Sequence, residues 1–131
     1  MGISFTTRAE GDTLFVKASG FDENLDDVKN FSMAVIEATR KNGAQRVLSD
    51  EREVEYRIGT FDTYDLGKFL SENVPSPLRI ATVCNPSFIS DATFFEDVVV
   101  NRGATLRIFT DVDKAKEWLN VQNVQNGTKE I

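Results

Sequence analysis

The residues best suited to chemistry lie together in the segment GTFDTYDLGKFL, which spans residues 59–70. It places hydroxyl and carboxylate side chains where an amphipathic helix pattern begins. Thr60, Asp62 and Thr63 can each accept a hydrogen bond from a free backbone N–H at a helix start. The same free amides could hold a phosphate on either threonine. We interpret these residues as helix caps, the usual role of such residues at this position, with phosphorylation as the alternative.

Acidic residues around this segment form a second candidate site. They are Asp50, Glu51, Glu53 and Glu55, with Asp62 and Asp65 further on. Carboxylate oxygens bind Mg²⁺ and Ca²⁺, so an acid-based, metal-dependent enzyme centred on Asp50 and Asp62 is one hypothesis. Arg52 and Arg57 interrupt the run, which favours a solvated edge with ion pairs, and we predict no metal. Asp50 remains of interest because it ends a predicted parallel strand, where α/β folds place their sites.

The chain contains no histidine and one cysteine. The commonest general base, the usual zinc ligand and every Ser-His or Cys-His arrangement are therefore missing. Cys84 has no histidine to stabilise a thiolate, so we predict a buried structural thiol. We accordingly predict no catalytic residue and no cofactor.

The net charge is −6, from 21 acidic and 15 basic residues. An acidic surface repels phosphate backbones and anionic lipids, so we predict no nucleic-acid binding. No apolar run approaches the roughly 20 residues that span a bilayer, so we expect no stable membrane insertion. A single cysteine and the lack of a recognisable secretory signal predict a cytoplasmic protein.

The order of patterns predicts one α/β domain over residues 1–119 and a polar, frayed tail over residues 120–131. Its sheet is mixed and five-stranded, with a hairpin followed by mostly parallel strands. The predicted strands are Ile3–Arg8, Thr13–Ala18, Arg46–Asp50, Leu78–Cys84 and Thr105–Phe109. The alternating segment EREVEYRI, directly after the third strand, predicts an extended edge with one solvated face.

Four helices complete the predicted domain. They run from Asp22 to Lys41, from residue 60 to Asn73, from a Ser90 cap to Asn101, and from a capping box at Thr110 and Asp113 to Leu119. Asp22 or Asn24 caps the first, and Gly43 ends it. The predicted inward residues are Leu25, Val28, Phe31, Val35 and Ala38 with Ile36 beside them, then Ala92, Phe94, Phe95, Val98 and Val99, and finally Val112, Ala115, Trp118 and Leu119. Ten phenylalanines exceed what a core of this size needs, so some could line an apolar pocket or a dimer face.

Four segments taken together resemble a known group of small bacterial domains. They are VLSDE, DTYDLGKFL, LRIATV and FFEDVVVNRGATLRIFTDVDKAKEWL. The group is the STAS/Sec14-like, or SpoIIAA-like, domains, and the resemblance covers roughly residues 3–119. It implies a non-enzymatic module of the kind found in anti-sigma-factor antagonists. The switch motif of such modules, Asp-Ser-Ser-Gly-Leu-Gly, falls on residues 62–67, with Thr63 at the first serine and Tyr64 at the usual phosphoacceptor.

The resulting hypothesis is a regulatory or protein-interaction domain. Its candidate switch or interaction site comprises Asp50, Thr60, Asp62, Thr63 and Tyr64, and its partner is another protein or a second copy in a homodimer. The alternative is a carrier of a small apolar ligand or lipid, held between the sheet and the phenylalanine-rich helices. The Sec14 side of the resemblance makes a lipid conceivable.

Overall fold

A computed structural model describes residues 2–75 and 77–120 of the chain. Its elements are β1 (Ile3–Glu10), β2 (Thr13–Phe21), α1 (Leu25–Asn42), β3 (Arg46–Glu55), α2 (Thr60–Asn73), β4 (Arg79–Cys84), α3 (Ile89–Asn101), β5 (Thr105–Phe109) and α4 (Val112–Leu119). A short 3₁₀ turn, Pro86–Phe88, precedes α3. Apart from Asn120, the predicted tail lies outside the described residues.

The sheet has five strands in the order β1-β2-β3-β4-β5. β1 pairs with β2 in antiparallel orientation, and every later neighbour is parallel. Each parallel strand lies next to the strand that precedes it in the chain, and always on the same side of it. Because crossover connections are almost always right-handed, such a sheet carries all its connecting helices on one face. The predicted mixed five-stranded sheet with four helices is confirmed.

Each face of the sheet carries its own apolar core. On the face covered by α1, α2 and α3, the buried residues are Leu14, Val16, Ile36, Val47, Leu70, Leu78, Ile80, Val99 and Leu106. On the other face α4 is the one helix of the described residues that packs on the sheet, and the buried residues are Phe15, Leu48, Ala81, Val83, Val112, Ala115 and Leu119. We call these the three-helix face and the α4 face.

The central strand β3 is longer than predicted. The segment EREVEYRI was expected to be a separate edge, but β3 runs without a break to Glu55. β4 pairs with it only as far as Glu51, and the last residues of β3 pair with β2 alone. A strand end that has one neighbour shows the same alternation as an edge strand, which is why the prediction was wrong.

One of the two predicted alternatives for the cap of α1 is confirmed, and the predicted cap of α4 is replaced by the next residue. In α1 the Asn24 side chain accepts from the Asp27 N–H at 2.8 Å, so Asn24 rather than Asp22 is the cap. In α4 the cap is Asp111, one residue after the predicted Thr110. Ser90 lies inside α3, which has no side-chain cap because the 3₁₀ turn leads directly into it. Gly43 ends α1 in a left-handed conformation, as predicted.

The predicted inward residues are mostly buried or half-buried, with one exception. Phe94 is 37% exposed, whereas its neighbour Phe95 is half-buried against the three-helix core. In α1 the buried line is Val28, Ile36 and Thr39, so Ile36 is central rather than peripheral. Trp118 is half-buried, with the Arg79 guanidinium 4.4 Å from its ring centroid.

Candidate functional site

The start of α2 has no side-chain cap. Gly59 is the N-cap residue, and none of the predicted capping groups makes the capping bond. The Thr63 hydroxyl instead donates back one turn to the Gly59 carbonyl at 2.9 Å, and Thr63 is 7% exposed. Thr60 is exposed and Asp62 is half-buried in the first helical turn. The capping interpretation is therefore wrong, because the cap position falls on Gly59, one residue before the first hydroxyl, and a threonine inside a helix bonds its own preceding turn.

Tyr64 is held by an arginine that directly follows α3. Its hydroxyl accepts a hydrogen bond from Arg102 Nη2 at 2.8 Å, and the guanidinium carbon lies 5.6 Å from the ring centroid. Tyr64 remains 42% exposed, and Phe61 in the preceding turn is 88% exposed. α2 and α3 approach closely at Gly67, where a Cβ would lie 2.7 Å from Val98 Cγ1. This end of α2 thus presents apolar surface to solvent on a tightly packed helix pair.

Asp50 lies apart from the α2 start, on the α4 face. It is 1% exposed and accepts two hydrogen bonds from the Arg52 guanidinium, from Nε at 2.8 Å and from Nη2 at 2.7 Å. The Lys17 ammonium lies 3.5 Å from the same carboxylate. Burial opposes ionisation, but the bonds and charge of Arg52, assisted by Lys17, outweigh it and hold the pKa of Asp50 below its ordinary value.

Two adjoining cavities lie on the three-helix face, between the sheet and α1, α2 and α3. The first has a volume of about 80 Å³ and the second about 70 Å³. The first lies toward the carboxyl ends of the parallel strands, where α/β folds commonly bind ligands. Five residues contribute to both walls: Phe31, Ser32, Glu51, Thr82 and Phe95.

Glu51 is the central polar group of these cavities. Its Oε1 accepts from the Tyr56 hydroxyl at 2.6 Å, and its Oε2 accepts from the Ser49 hydroxyl at 2.8 Å. Burial raises the pKa of the Glu51 carboxyl, and the two hydroxyl donors offset this only in part. Burial and the adjacent Glu51 charge also raise the pKa of Tyr56 well above its ordinary value.

Asp22 is a second carboxyl in the wall of the first cavity. It is 3% exposed and accepts a hydrogen bond from the Arg57 backbone N–H. Burial raises the pKa of Asp22 above its ordinary value. Cys84 is fully buried, and burial together with the Glu51 charge raises its pKa to about 11, so the thiol is neutral as predicted.

The structure therefore divides the predicted site. Of its five residues Thr63 alone lines either of the two cavities described above, Asp50 lies on the opposite face of the sheet, and Thr60 and Tyr64 are exposed. The predicted acidic edge does contain ion pairs, Asp50 with Arg52 and Glu55 with Arg57, and Glu53 and Glu55 are exposed. The prediction of a solvated edge is wrong for Asp50, which is buried, and for Glu51, which is half-buried.

Sequence reasoning gave the polar residues of the cavity walls other roles or none. They are Asp22, Ser32, Tyr56 and Thr82, together with Glu51, which it placed in a solvated acidic run. The available signal was the alternation of Val47, Ser49 and Glu51, which places a glutamate on the inward face once β3 is read as one strand.

Two broader features bear on function. Within residues 2–75 and 77–120, no group of three or more cysteine or acidic side chains is arranged to hold a metal ion. Over the same residues no helix combines the length and the apolar composition needed to cross a membrane.

Comparison with known proteins places the fold. No family model and no curated protein matches the chain. Among solved structures, it is similar to an anti-sigma factor antagonist from Mycobacterium paratuberculosis, with a TM-score of 0.62, 11% identity, and coverage of 90% of this chain and 94% of that one. It is also similar to an uncharacterised DUF3478-family protein with a SpoIIAA-like fold from Shewanella loihica, with a TM-score of 0.54, 19% identity and the same coverages of 90% and 94%. The predicted STAS/SpoIIAA-like fold is confirmed.

Proposed function

We propose that this chain is a non-enzymatic regulatory or protein-interaction domain that contacts a protein partner through the start of α2. The observation that carries this proposal is the exposure of Phe61, at 88%, beside the 42% exposed Tyr64. A phenylalanine so exposed contributes almost nothing to folding, and aromatic side chains are enriched where proteins bind each other. The similarity to an anti-sigma factor antagonist supports the same class of function.

The test is a capture experiment with the full chain as bait in a lysate of its own organism. We expect one partner protein to be retained by the wild type and lost with Phe61→Ser. Lys114→Ser, on α4 at the opposite face of the sheet, is the control and should retain the partner. Retention of the same protein by all three baits would contradict this surface, and a second copy of the chain as the captured protein would identify self-association.

A second candidate function is the carriage of a small apolar ligand. The observation that favours it is the pair of cavities on the three-helix face, lined by Val28, Phe31, Phe95 and Ile108 among others. Their combined size suits a ring-sized molecule better than a two-chain lipid. Native mass spectrometry of freshly purified protein should show a bound small molecule, and a mass equal to that of the bare chain would count against this function.

A further inference from the structure

The two cavities share enough wall to act as one site. Phe31 and Phe95 supply aromatic surface to both, and Glu51 supplies a carboxylate to both. Together their volumes are comparable with the roughly 150 Å³ cavity that holds benzene in a well-studied engineered protein. A ligand that fills them is therefore a single ring or a short hydrocarbon with one small polar group.

Polar groups in the shared wall have unused hydrogen-bonding capacity. Thr82 is 6% exposed, and its hydroxyl makes no hydrogen bond within the described part of the chain. The Ser32 hydroxyl, in the same wall, likewise has no partner among those residues. Each Glu51 oxygen accepts one bond, although a carboxylate offers about four acceptor positions. The unused acceptor positions of Glu51 suit a ligand that carries hydrogen-bond donors, and the two hydroxyls can accept further bonds from the same ligand.

The charges of the first cavity select among such ligands. Three carboxyl residues, Asp22, Glu51 and Asp91, contribute to its described wall, and no lysine or arginine does. An anionic group would be repelled there, whereas a cationic group would compensate a carboxylate that has only hydroxyl partners. A bare metal ion fits less well, because hard cations need six or more oxygen ligands and the wall offers no such cluster.

We propose that the joined cavities bind a small aromatic amine, with its ammonium group bonded to Glu51 and its ring packed between Phe31 and Phe95. Thr82 and Ser32 contribute to the same shared wall, and in this proposal their hydroxyls accept the remaining ammonium hydrogens. This inference rests on the carrier function above and adds the chemical class of the ligand. It is independent of the protein-contact surface at Phe61, which does not line either cavity.

The test is a calorimetric titration of the full chain with benzylamine and, separately, with its neutral analogue benzyl alcohol. We expect benzylamine to bind at least about tenfold more tightly, since a charged hydrogen bond is worth about 1.5–3 kcal/mol. Glu51→Gln keeps the side-chain shape and should remove this preference. Glu55→Gln, an exposed position four residues later on the same strand, is the matched control and should retain it.

The outcomes separate the ligand class from the carrier function. Equal binding of both probes by the wild type would overturn the amine assignment while the carrier function stands. Unchanged benzylamine affinity in Glu51→Gln would overturn the role of Glu51. Absence of binding by either probe would overturn the amine site, and the carrier function would then stand or fall with the mass-spectrometric result.

A second variant keeps the proposal testable if Glu51→Gln does not fold. Thr82→Val removes one hydroxyl and preserves the side-chain shape. We expect it to weaken benzylamine binding about fivefold, in line with one neutral hydrogen bond of about 1 kcal/mol. Unchanged affinity would remove Thr82 from the site.

Discussion

Asp50 and Glu51 are consecutive residues of β3, yet their carboxyls lie on opposite faces of the sheet and their pKa values are shifted in opposite directions. On the α4 face Asp50 is enclosed, paired with Arg52 and Lys17, and its pKa is lowered. On the three-helix face Glu51 borders open volume, has only hydroxyl partners, and its pKa is raised. The charge of Asp50 is compensated by side chains of the protein, whereas Glu51 keeps unused hydrogen-bond acceptor positions.

The comparison teaches that burial alone does not identify a binding group. Burial disfavours the ionised form of both carboxyls. The difference is whether a positively charged side chain of the protein lies close enough to compensate that cost. The α4 face is an apolar core with one buried carboxylate, Asp50, that is paired with two partly exposed cations. The three-helix face combines a core with empty volume and polar groups that lack a counter-charge, the combination expected of a ligand site.

The largest expected effect contrasts packing on the two faces. Leu48→Ala, at a residue with 0% exposure on the α4 face, should lower the free energy of unfolding by about 4 kcal/mol. Leu66→Ala, at the wall of the first cavity, should cost about 2 kcal/mol, because that side chain already borders empty space. Urea denaturation measures both changes. Equal losses would mean that the cavity is closed in solution.

The next effect concerns the ion pair of the α4 face. Asp50→Asn should destabilise the protein by about 2 kcal/mol, since it removes the charge that two Arg52 bonds require. Glu55→Gln disrupts the exposed pair with Arg57 at the same two-residue spacing and should change stability by at most about 0.5 kcal/mol. The two variants are compared by thermal and urea unfolding at neutral pH. A similar small loss in both would show that Asp50 is solvated.

A smaller effect distinguishes the two threonines at the start of α2. Thr63→Val should cost about 1 kcal/mol because the bond from its hydroxyl to the Gly59 carbonyl is lost. Thr60→Val should leave stability within about 0.5 kcal/mol, since Thr60 is exposed and makes no capping bond. Chemical denaturation of the two variants measures both changes in the free energy of unfolding. A larger loss for Thr60 would restore the capping role that the structure removes.

The smallest effect is a change in pH dependence at Glu51. A carboxyl whose pKa is raised on folding stabilises the protein fully only below its ordinary pKa, and that contribution is lost as the pH rises through the raised value. The wild type should therefore lose stability as the pH rises from the ordinary carboxyl pKa to the raised pKa of Glu51, and Glu51→Gln should lose less. Asp50 has the opposite effect on stability, at lower pH. Because its pKa is lowered on folding, its contribution to stability is lost as the pH falls. Parallel losses in wild type and variant would show that Glu51 ionises freely.

Local signals carried most of the fold prediction. The bounds of β4 and β5, the end of α1 at Gly43 and the parallel order follow from turn residues and apolar periodicity, which act over a few residues. The continuation of β3 could not be predicted in this way, because alternation looks the same in an edge strand and in a central strand that outlasts one neighbour. Because of this ambiguity, Glu51 was predicted to be a solvated charge, although it lines both cavities.

The candidate site depended on contacts between distant segments. Asp22 is fixed by the Arg57 N–H, 35 residues away, and Tyr64 by Arg102, 38 residues away. No periodicity in one sequence encodes such pairings. The start of α2 at residue 60 was located correctly, but the side-chain roles within it were not, because the cap position falls on Gly59 and not on a residue with a capping side chain.

The unbroken strand order has a consequence for how the molecule is made. Because β1 to β5 lie side by side in the order of the chain, each strand meets an edge that its predecessor has already formed. We expect a growing chain to assemble the sheet from its amino-terminal side during synthesis, with no strand waiting for a partner made later. The exposed edge would then move from β2 to β5 as translation proceeds, and α4, the last described helix, would cover the second face only at the end.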